Sequence, residues 1–314
     1  MLLRTKNLKV HYRTSTGIVK AVDDVSLHVK ENEVFGLIGE SGCGKSTLIR
    51  TIMRLIPENA ITSFDEFSFR GQDLKSLSAK EYRNNILWRG ISLVPQSAMN
   101  SLNPVFRVGD QIIEVIRAHT DMPKEEAKKR VEELFKDVGL QPELTRSYPH
   151  EFSGGMRQRA MIAMSLALDP SLIIMDEPTT GLDVLVQERI LRELKAIRKK
   201  SVASIFLISH DISVIAEMSD RIGIMYAGRI MEQAGAMEMF NEPWHPYTLG
   251  LKNAFPSIRT MDSELISIPG SPPNLIDDIP GCVFAYRCPF AISECQKVRP
   301  PDIEVKPNHF VHCI

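Results

Sequence analysis

Two short runs hold the residue types and spacings that can do chemistry. The first, Gly39-Glu40-Ser41-Gly42-Cys43-Gly44-Lys45-Ser46-Thr47, fits the phosphate-loop pattern G-x-x-x-x-G-K-[ST]. Its glycines let backbone N–H groups wrap an anion without Cβ clashes, and a helix leaving the loop adds positive potential at its N-terminus. Lys45 is spaced to reach the β- and γ-phosphates of a nucleoside triphosphate, and the Ser46 hydroxyl to ligate Mg²⁺. The second run, Leu172-Ile173-Ile174-Met175-Asp176-Glu177, stays apolar until it ends in two carboxylates. Asp176 is the candidate holder of Mg²⁺, directly or through water, and Glu177 the candidate base for an attacking water. The predicted chemistry is phosphoryl transfer, which depends on positioning and charge neutralisation more than on covalent steps.

Such groups need ordered elements behind them. Val34-Phe35-Gly36-Leu37-Ile38 reads as a buried strand entering the loop, and Leu48, Ile49, Ile52, Met53 and Leu55 then recur at helical spacing. Leu172 to Met175 reads as a second buried strand whose apolar continuity suits a central parallel sheet. Successive strand-end residues point apart, so one carboxylate of Asp176-Glu177 faces a metal and the other a γ-phosphate. Strands and helices alternate over residues 1 to about 96 and again over about 159–235. The stretch between, about 97–158, reads as helical. In it Ala127, Val131, Leu134, Phe135 and Val138 form one apolar stripe, expected to be core. The fold class is α/β with a helical lobe inserted.

The 314 residues exceed one typical domain. Lys+Arg number 38 against 39 Asp+Glu, so no net basic field invites nucleic acid. No apolar run approaches the ~18–20 residues of a membrane-spanning helix. Met1-Leu2-Leu3-Arg4-Thr5-Lys6 turns polar too early for a secretory signal. The expectation is a cytosolic protein that serves a membrane only through partners. From Ala236 onward the composition changes, and 11 of the 19 prolines lie there. That density opposes long helices and central strands. Residues 1–235 are therefore expected to form the catalytic domain, and residues 236–314 a small loop-rich extension wrapped on it.

Four of the five cysteines fall in that extension: Cys282, Cys288, Cys295 and Cys313, with gaps of 5, 6 and 17 residues. Clustered cysteines without a secretion signal more often hold metal than form disulfides. The spacing matches neither a C-x₂-C zinc knuckle nor a common ferredoxin run. The residues alone divide the reading among Zn²⁺, an iron–sulfur cluster and reduced thiols, with His309 and His312 as candidate zinc ligands. Cys43 is most simply a small residue tolerated in the loop.

Tyr148-Pro149-His150-Glu151-Phe152-Ser153-Gly154-Gly155-Met156-Arg157-Gln158-Arg159, Ser101-Leu102-Asn103-Pro104 and His245-Pro246-Tyr247-Thr248 carry a resemblance. Together they look like the ATPase subunits of bacterial peptide importers, in the dipeptide/oligopeptide/nickel branch of the ATP-binding-cassette (ABC) transporters. The likeness runs essentially end to end and includes Gly281-Cys282, Arg287-Cys288-Pro289, Cys295 and Cys313. Phe152 and Met156 depart from the Leu-Ser-Gly-Gly-Gln wording of the wider family in a way this branch tolerates.

The resemblance implies a P-loop ABC-type ATPase with a nucleotide-binding lobe and a helical signature lobe. It implies that Ser153, Gly154, Gly155 and Met156 of one subunit close over ATP held by another, with Asp183 crossing the dimer interface. Gln96 would touch Mg²⁺ and the water, His210 the γ-phosphate, and Tyr12 would stack on adenine. The ATP-binding set is then Tyr12, Gly39, Ser41, Gly42, Cys43, Gly44, Lys45, Ser46, Thr47, Gln96 and His210. Mg²⁺ would be held through Ser46, Gln96 and Asp176, and catalysis would rest on Glu177, His210, Gln96 and Lys45. The implied partners are a second similar ATPase, two transmembrane permease subunits and, indirectly, an extracytoplasmic substrate-binding protein. The implied place is the cytoplasmic face of the cell membrane, with peptides as cargo and nickel or another small solute as runner-up. Some members of the branch carry a [4Fe–4S] cluster on four such cysteines, which favours that cluster over Zn²⁺ here. Near-neutral charge, a single cassette and a short helical insertion argue against a soluble relative acting on nucleic acid or ribosomes.

Overall fold

The computed structural model describes residues 1–96, 98–200, 203–254 and 268–314. In chain order its strands are β1 (Leu3–Thr14), β2 (Gly17–Val29), β3 (Val34–Ile38), β4 (Ala60–Ser63), β5 (Glu66–Phe69), β6 (Gln72–Asp73) and β7 (Ile91–Val94). They continue as β8 (Leu172–Asp176), β9 (Ser204–Ile208), β10 (Arg221–Tyr226), β11 (Arg229–Gly235), β12 (Ile303–Lys306) and β13 (His309–Val311).

Two sheets result. The long β1–β2 hairpin anchors an antiparallel sheet in the order β2-β1-β5-β6, with β4 also paired to β1. The second sheet runs β12-β13-β11-β10-β3-β9-β8-β7. Its β10-β3-β9-β8-β7 part is parallel. Strands β3, β9 and β10 are buried at every residue, as sequences without polar alternation require when both faces are covered. One core packs the two sheets together through residues such as Leu3, Val10, Leu37, Leu48, Ile174 and Phe206. A second core joins the opposite face of the parallel sheet to the helices.

The helix Lys45–Ile52 comes after β3 and buries Leu48, Ile49 and Ile52. It stops earlier than the apolar spacing predicts. Arg54 turns into the left-handed region at φ 53°, and Leu55 is 57% exposed. Arg54 is held there by hydrogen bonds from its guanidinium to the carbonyls of Leu74 and Leu77, and by stacking over Tyr82. In the helical stretch, Val108–His119 packs on Lys124–Asp137, whose Ala127, Val131, Leu134 and Phe135 are fully buried, as is Val138 just beyond.

The proline-rich C-terminal segment is loop-rich but joins the sheet. Strand β13 pairs with β11 (Glu232 opposite Val311, Gln233 opposite Phe310), and β12 closes the edge. Pro246 opens the helix Pro246–Ala254, where its missing N–H costs nothing.

Candidate active site

Register puts the chemical groups at one level. Leu37 of β3 lies beside Ile208 of β9, Ile208 beside Asp176 of β8, and Met175 beside Val94 of β7. The phosphate loop, His210, Glu177 and Gln96 each come just after one of these strands, so all four emerge from the sheet at the same carboxyl edge. That edge is where open α/β sheets bind ligands.

The loop tolerates no side chain at two of its glycines. A Cβ on Gly39 would lie 2.1 Å from the Met225 carbonyl oxygen. At Gly44 it would lie 2.2 Å from that of Ala21, and Gly44 also sits at φ 109°. Gly44 caps the helix that begins at Lys45, which leaves that helix's first N–H groups facing the loop. Lys45 is buried and folded back: Nζ donates to the carbonyls of Gly39 at 2.6 Å and Glu40 at 3.0 Å. Cys43 is also buried, and burial raises its thiol pKa. The Tyr12 hydroxyl reaches Thr47 Oγ1 at 3.4 Å.

The Glu177 carboxylate is the point of convergence. Its Oε2 accepts from Gln96 Nε2 at 2.8 Å and Thr180 Oγ1 at 3.0 Å, and lies 3.3 Å from His210 Nδ1. Its backbone sits at φ 50°, in the left-handed region that a non-glycine residue enters only when its surroundings demand it. The Glu177 N–H bond to the Ile208 carbonyl, 2.8 Å, is part of that demand. Beside it, Asp176 is held above the ordinary carboxylate range. Burial is the main cause and the Glu177 charge adds to it, against the pull of Lys45 and Arg50. A buried, partly repelled carboxylate gains most from a cation, so Asp176 with the Ser46 hydroxyl and the Gln96 amide fits Mg²⁺ by donor chemistry.

Ser153 caps the helix Gly154–Ser165 by accepting from Met156 N at 3.3 Å. Gly155 faces Val186 so closely that a Cβ would fall 2.5 Å from its Cγ1. Asp183 caps the helix Val184–Lys200 through Val186 N at 2.9 Å. Ser153 to Met156 and Asp183 thus form one neighbourhood around Val186. Among the described residues no hydrogen bond or ion pair joins it to the Glu177 group.

Two features have no clear mark in the sequence. Thr180 is one turn beyond Glu177, and nothing but three-dimensional proximity singles it out. Glu40 donates its N–H to the Tyr247 hydroxyl at 3.1 Å and pairs with Arg287 at 2.9 Å. The phosphate loop is therefore held by residues of the C-terminal segment. The only sequence signal is that Tyr247 and Arg287 lie in runs carrying the family resemblance. A larger cavity, about 570 Å³, opens where Glu31, Ser171 and Ala203 precede β3, β8 and β9. It is at the opposite edge of the sheet from the loop, and its Arg130 is already paired with Asp169.

The expected [4Fe–4S] cluster on Cys282, Cys288, Cys295 and Cys313 is corrected. Among the described residues no group of three or more His, Cys, Asp or Glu side chains is arranged to hold a metal ion. The four cysteines are free thiols. Burial pushes Cys282 up to about 11 and raises Cys288 and Cys313, which favours their protonated forms. Nearness in sequence is used instead for backbone turns: Cys282 N donates to the Cys295 carbonyl at 2.7 Å and Ala285 N to the Cys282 carbonyl at 3.1 Å. The zinc alternative fares no better. His309 is buried with Nε2 2.7 Å from Glu232 Oε1, and His312 pairs with Asp302 at 3.1 Å.

Comparison with known proteins identifies the family. The family described as ABC transporter matches residues 22–180, and the oligopeptide/dipeptide transporter C-terminal region matches residues 231–295. A probable peptide ABC transporter ATP-binding protein of Sinorhizobium fredii is 42% identical, covering 100% of this chain and 94% of its own length. The dipeptide transport ATP-binding protein DppD of Bacillus subtilis is 42% identical over 99% of this chain and 94% of that protein. The oligopeptide transport ATP-binding protein OppD of the same organism is 43% identical over 99% and 87%. Among solved structures, the dimeric cassette MJ0796 in a post-hydrolysis state with ADP and Pi superposes with a TM-score of 0.65 at 26% identity. It covers 74% of this chain and 98% of that one.

Proposed function

From the premise that this chain belongs to the ABC transporter family, we propose that it is the ATP-hydrolysing subunit powering import of dipeptides or oligopeptides. ATP hydrolysis is the activity of the family, and the peptide-transport relatives, similar over nearly the whole chain, support the cargo. The observation that carries the hydrolytic reading is the meeting of Gln96, Thr180 and His210 on Glu177, at the sheet edge that also bears the phosphate loop.

In this reading Lys45 exchanges the Gly39 and Glu40 carbonyls for the β- and γ-phosphates, which are better partners for its charge. Ser41, Gly42, Cys43 and Gly44 contribute backbone N–H groups, and Thr47 and Tyr12 flank the nucleoside, with the Tyr12 ring on adenine. Ser46, Gln96 and Asp176 would hold Mg²⁺, which when bound would supply charge neutralisation at the phosphates. Glu177 takes a proton from the attacking water, while Gln96 and His210 fix that water and the γ-phosphate. Ser153, Gly154, Gly155 and Met156 serve the ATP of a partner subunit, with Asp183 at the joint. The grouping of these residues around Val186, apart from the chain's own Glu177, supports a role in trans. Hydrolysis then requires two cassettes to close.

The catalytic domain is taken as residues 1–235, with the helical lobe at about 97–158, and the C-terminal extension as 236–314. Among the described residues no helix is long and apolar enough to cross a membrane. The permeation path is assigned to two membrane-spanning permease subunits fed by an extracytoplasmic binding protein, with this chain docked on the cytoplasmic face.

The test is uptake of a labelled dipeptide and a labelled oligopeptide by cells whose only copy of the chain is wild type or Glu177→Gln. Uptake should fall to background in the variant. Undiminished peptide uptake together with lost nickel uptake would transfer the chain to a different cargo.

A further inference from the structure

Glu40 is an odd residue to find in a loop that must gather phosphates, because its carboxylate opposes every anion brought near it. The structure gives that charge a dedicated partner. Arg287 Nη1 pairs with Glu40 Oε2 at 2.9 Å and donates to the Tyr226 hydroxyl at 3.1 Å. Its Nε donates to the Pro269 carbonyl at 2.7 Å and its Nη2 to that of Ile268 at 3.3 Å. Only 8% of the Arg287 side chain is exposed. Burial works against its charge, yet the bonds to Glu40 and Tyr226 raise its pKa above the ordinary arginine value.

Three rings seat this arginine. Tyr226 ends β10, Tyr247 belongs to the helix Pro246–Ala254, and Phe284 lies in the C-terminal segment. Their centroids are 4.7 Å (Tyr226–Tyr247), 5.3 Å (Tyr226–Phe284) and 5.2 Å (Tyr247–Phe284) apart. The guanidinium stands 5.5 Å from the Tyr226 ring and 6.0 Å from that of Phe284. Tyr247 is fully buried and its hydroxyl takes the Glu40 N–H, so the same cluster grips the loop by backbone and by side chain. Across a cleft of about 350 Å³, Pro272 to Leu275 face Glu40 to Cys43.

We propose that Arg287, seated on the Tyr226–Tyr247–Phe284 cluster, is a positioning residue of the nucleotide site. It neutralises the Glu40 carboxylate beside the triphosphate site, while Tyr247 holds the loop by its backbone. The C-terminal segment thereby sets ATP affinity in the catalytic domain. This inference rests on the reading of Lys45 and its loop as the ATP site.

A double-mutant cycle on the full chain tests it, with MgATP and adenosine as probes in calorimetry. Arg287→Gln strands the Glu40 carboxylate, and MgATP binding should weaken about tenfold with adenosine binding little changed. Glu40→Gln/Arg287→Gln removes both charges and should return MgATP affinity to within about threefold of wild type. A double variant as weak as Arg287→Gln would overturn the proposal, because the arginine would then act through the fold of the segment and not through Glu40. Glu40→Gln alone leaves the C-terminal segment untouched, so it keeps the test alive if Arg287→Gln does not fold. It should bind MgATP at least as tightly as wild type, and weaker binding would overturn the proposal. Lys45→Ala separates the two levels of the argument. If it binds MgATP normally, the ATP-site reading falls; if it loses binding while Arg287→Gln does not, only this inference falls.

Discussion

At the carboxyl edge of the parallel sheet, β3, β7, β8 and β9 end at matched levels, and each passes a chemical group to the same small volume. In the C-terminal segment, four cysteines of comparable chemical promise sit among 3₁₀ turns and loops, and among the described residues no group of three or more His, Cys, Asp or Glu side chains is placed to hold a metal ion. The contrast teaches what brings dispersed residues together. A parallel sheet fixes both the direction and the level of its strand ends, so residues far apart in sequence meet there. A proline-rich loop fixes neither, and residues close in sequence need not form a site there. What the segment gains from the sheet is attachment, through β13 on β11, the Lys20–Asp278 pair and Arg287 on Glu40.

The largest expected effect lies at the sheet edge. Glu177→Gln should lower ATP hydrolysis by about 10³-fold, within the usual range for a general base, while keeping MgATP binding and favouring an ATP-bound dimer. Brisk steady-state turnover would move the base elsewhere and remove the convergence argument. Next, Lys45→Ala should weaken MgATP binding by roughly 10–100-fold, the loss of charge-assisted hydrogen bonds to phosphate, as read by calorimetry. Unchanged affinity would break the assignment of the loop.

A subtler effect separates residues used by the chain itself from those lent to a partner. Ser153→Arg should be inactive alone, yet mixing it with Lys45→Ala should restore part of the ATPase rate, since such a pair retains one complete composite site. No recovery in verified heterodimers would return the Ser153 region to service within its own chain.

A last effect, on stability and not on turnover, concerns the attachment of the C-terminal segment. Burial drives the His245 pKa down to about 3 from 6.5, and Tyr247 N donates to its neutral Nδ1 at 3.0 Å. Because the folded value lies below the unfolded one, the unfolded chain binds the proton first. The stability is complete above pH 6.5 and lost as pH falls toward 3. At pH ~4.5 the loss should be roughly 2–3 kcal/mol from this ring. The melting temperature should therefore fall more steeply with acid in wild type than in His245→Asn. Parallel slopes would mean that the acid response comes from other groups.

The legible parts of the molecule are those written in contiguous residues. The phosphate loop, the apolar run ending in Asp176-Glu177 and the buried stripe Ala127, Val131, Leu134, Phe135 and Val138 can be read because each is a local pattern with one three-dimensional meaning. The helix after the loop is shorter than its apolar spacing suggests, since Arg54 is drawn out of helical conformation by carbonyls at Leu74 and Leu77, which no local pattern announces. The cysteines mislead for the related reason that spacing in a segment of turns does not by itself specify a metal-holding arrangement.

The sequence by itself determined the chemistry on offer: a phosphate-binding loop, two strand-end carboxylates and a glycine-rich helix start at Ser153. Only the tertiary structure decided which groups act together. It set Thr180, Gln96 and His210 on one oxygen of Glu177, and it joined Glu40 to Arg287 across most of the chain. The physical reason is that a local pattern constrains backbone shape over a few residues. Hydrogen bonds and buried charge pairs between distant residues depend instead on strand order and register, which the whole packed core selects at once.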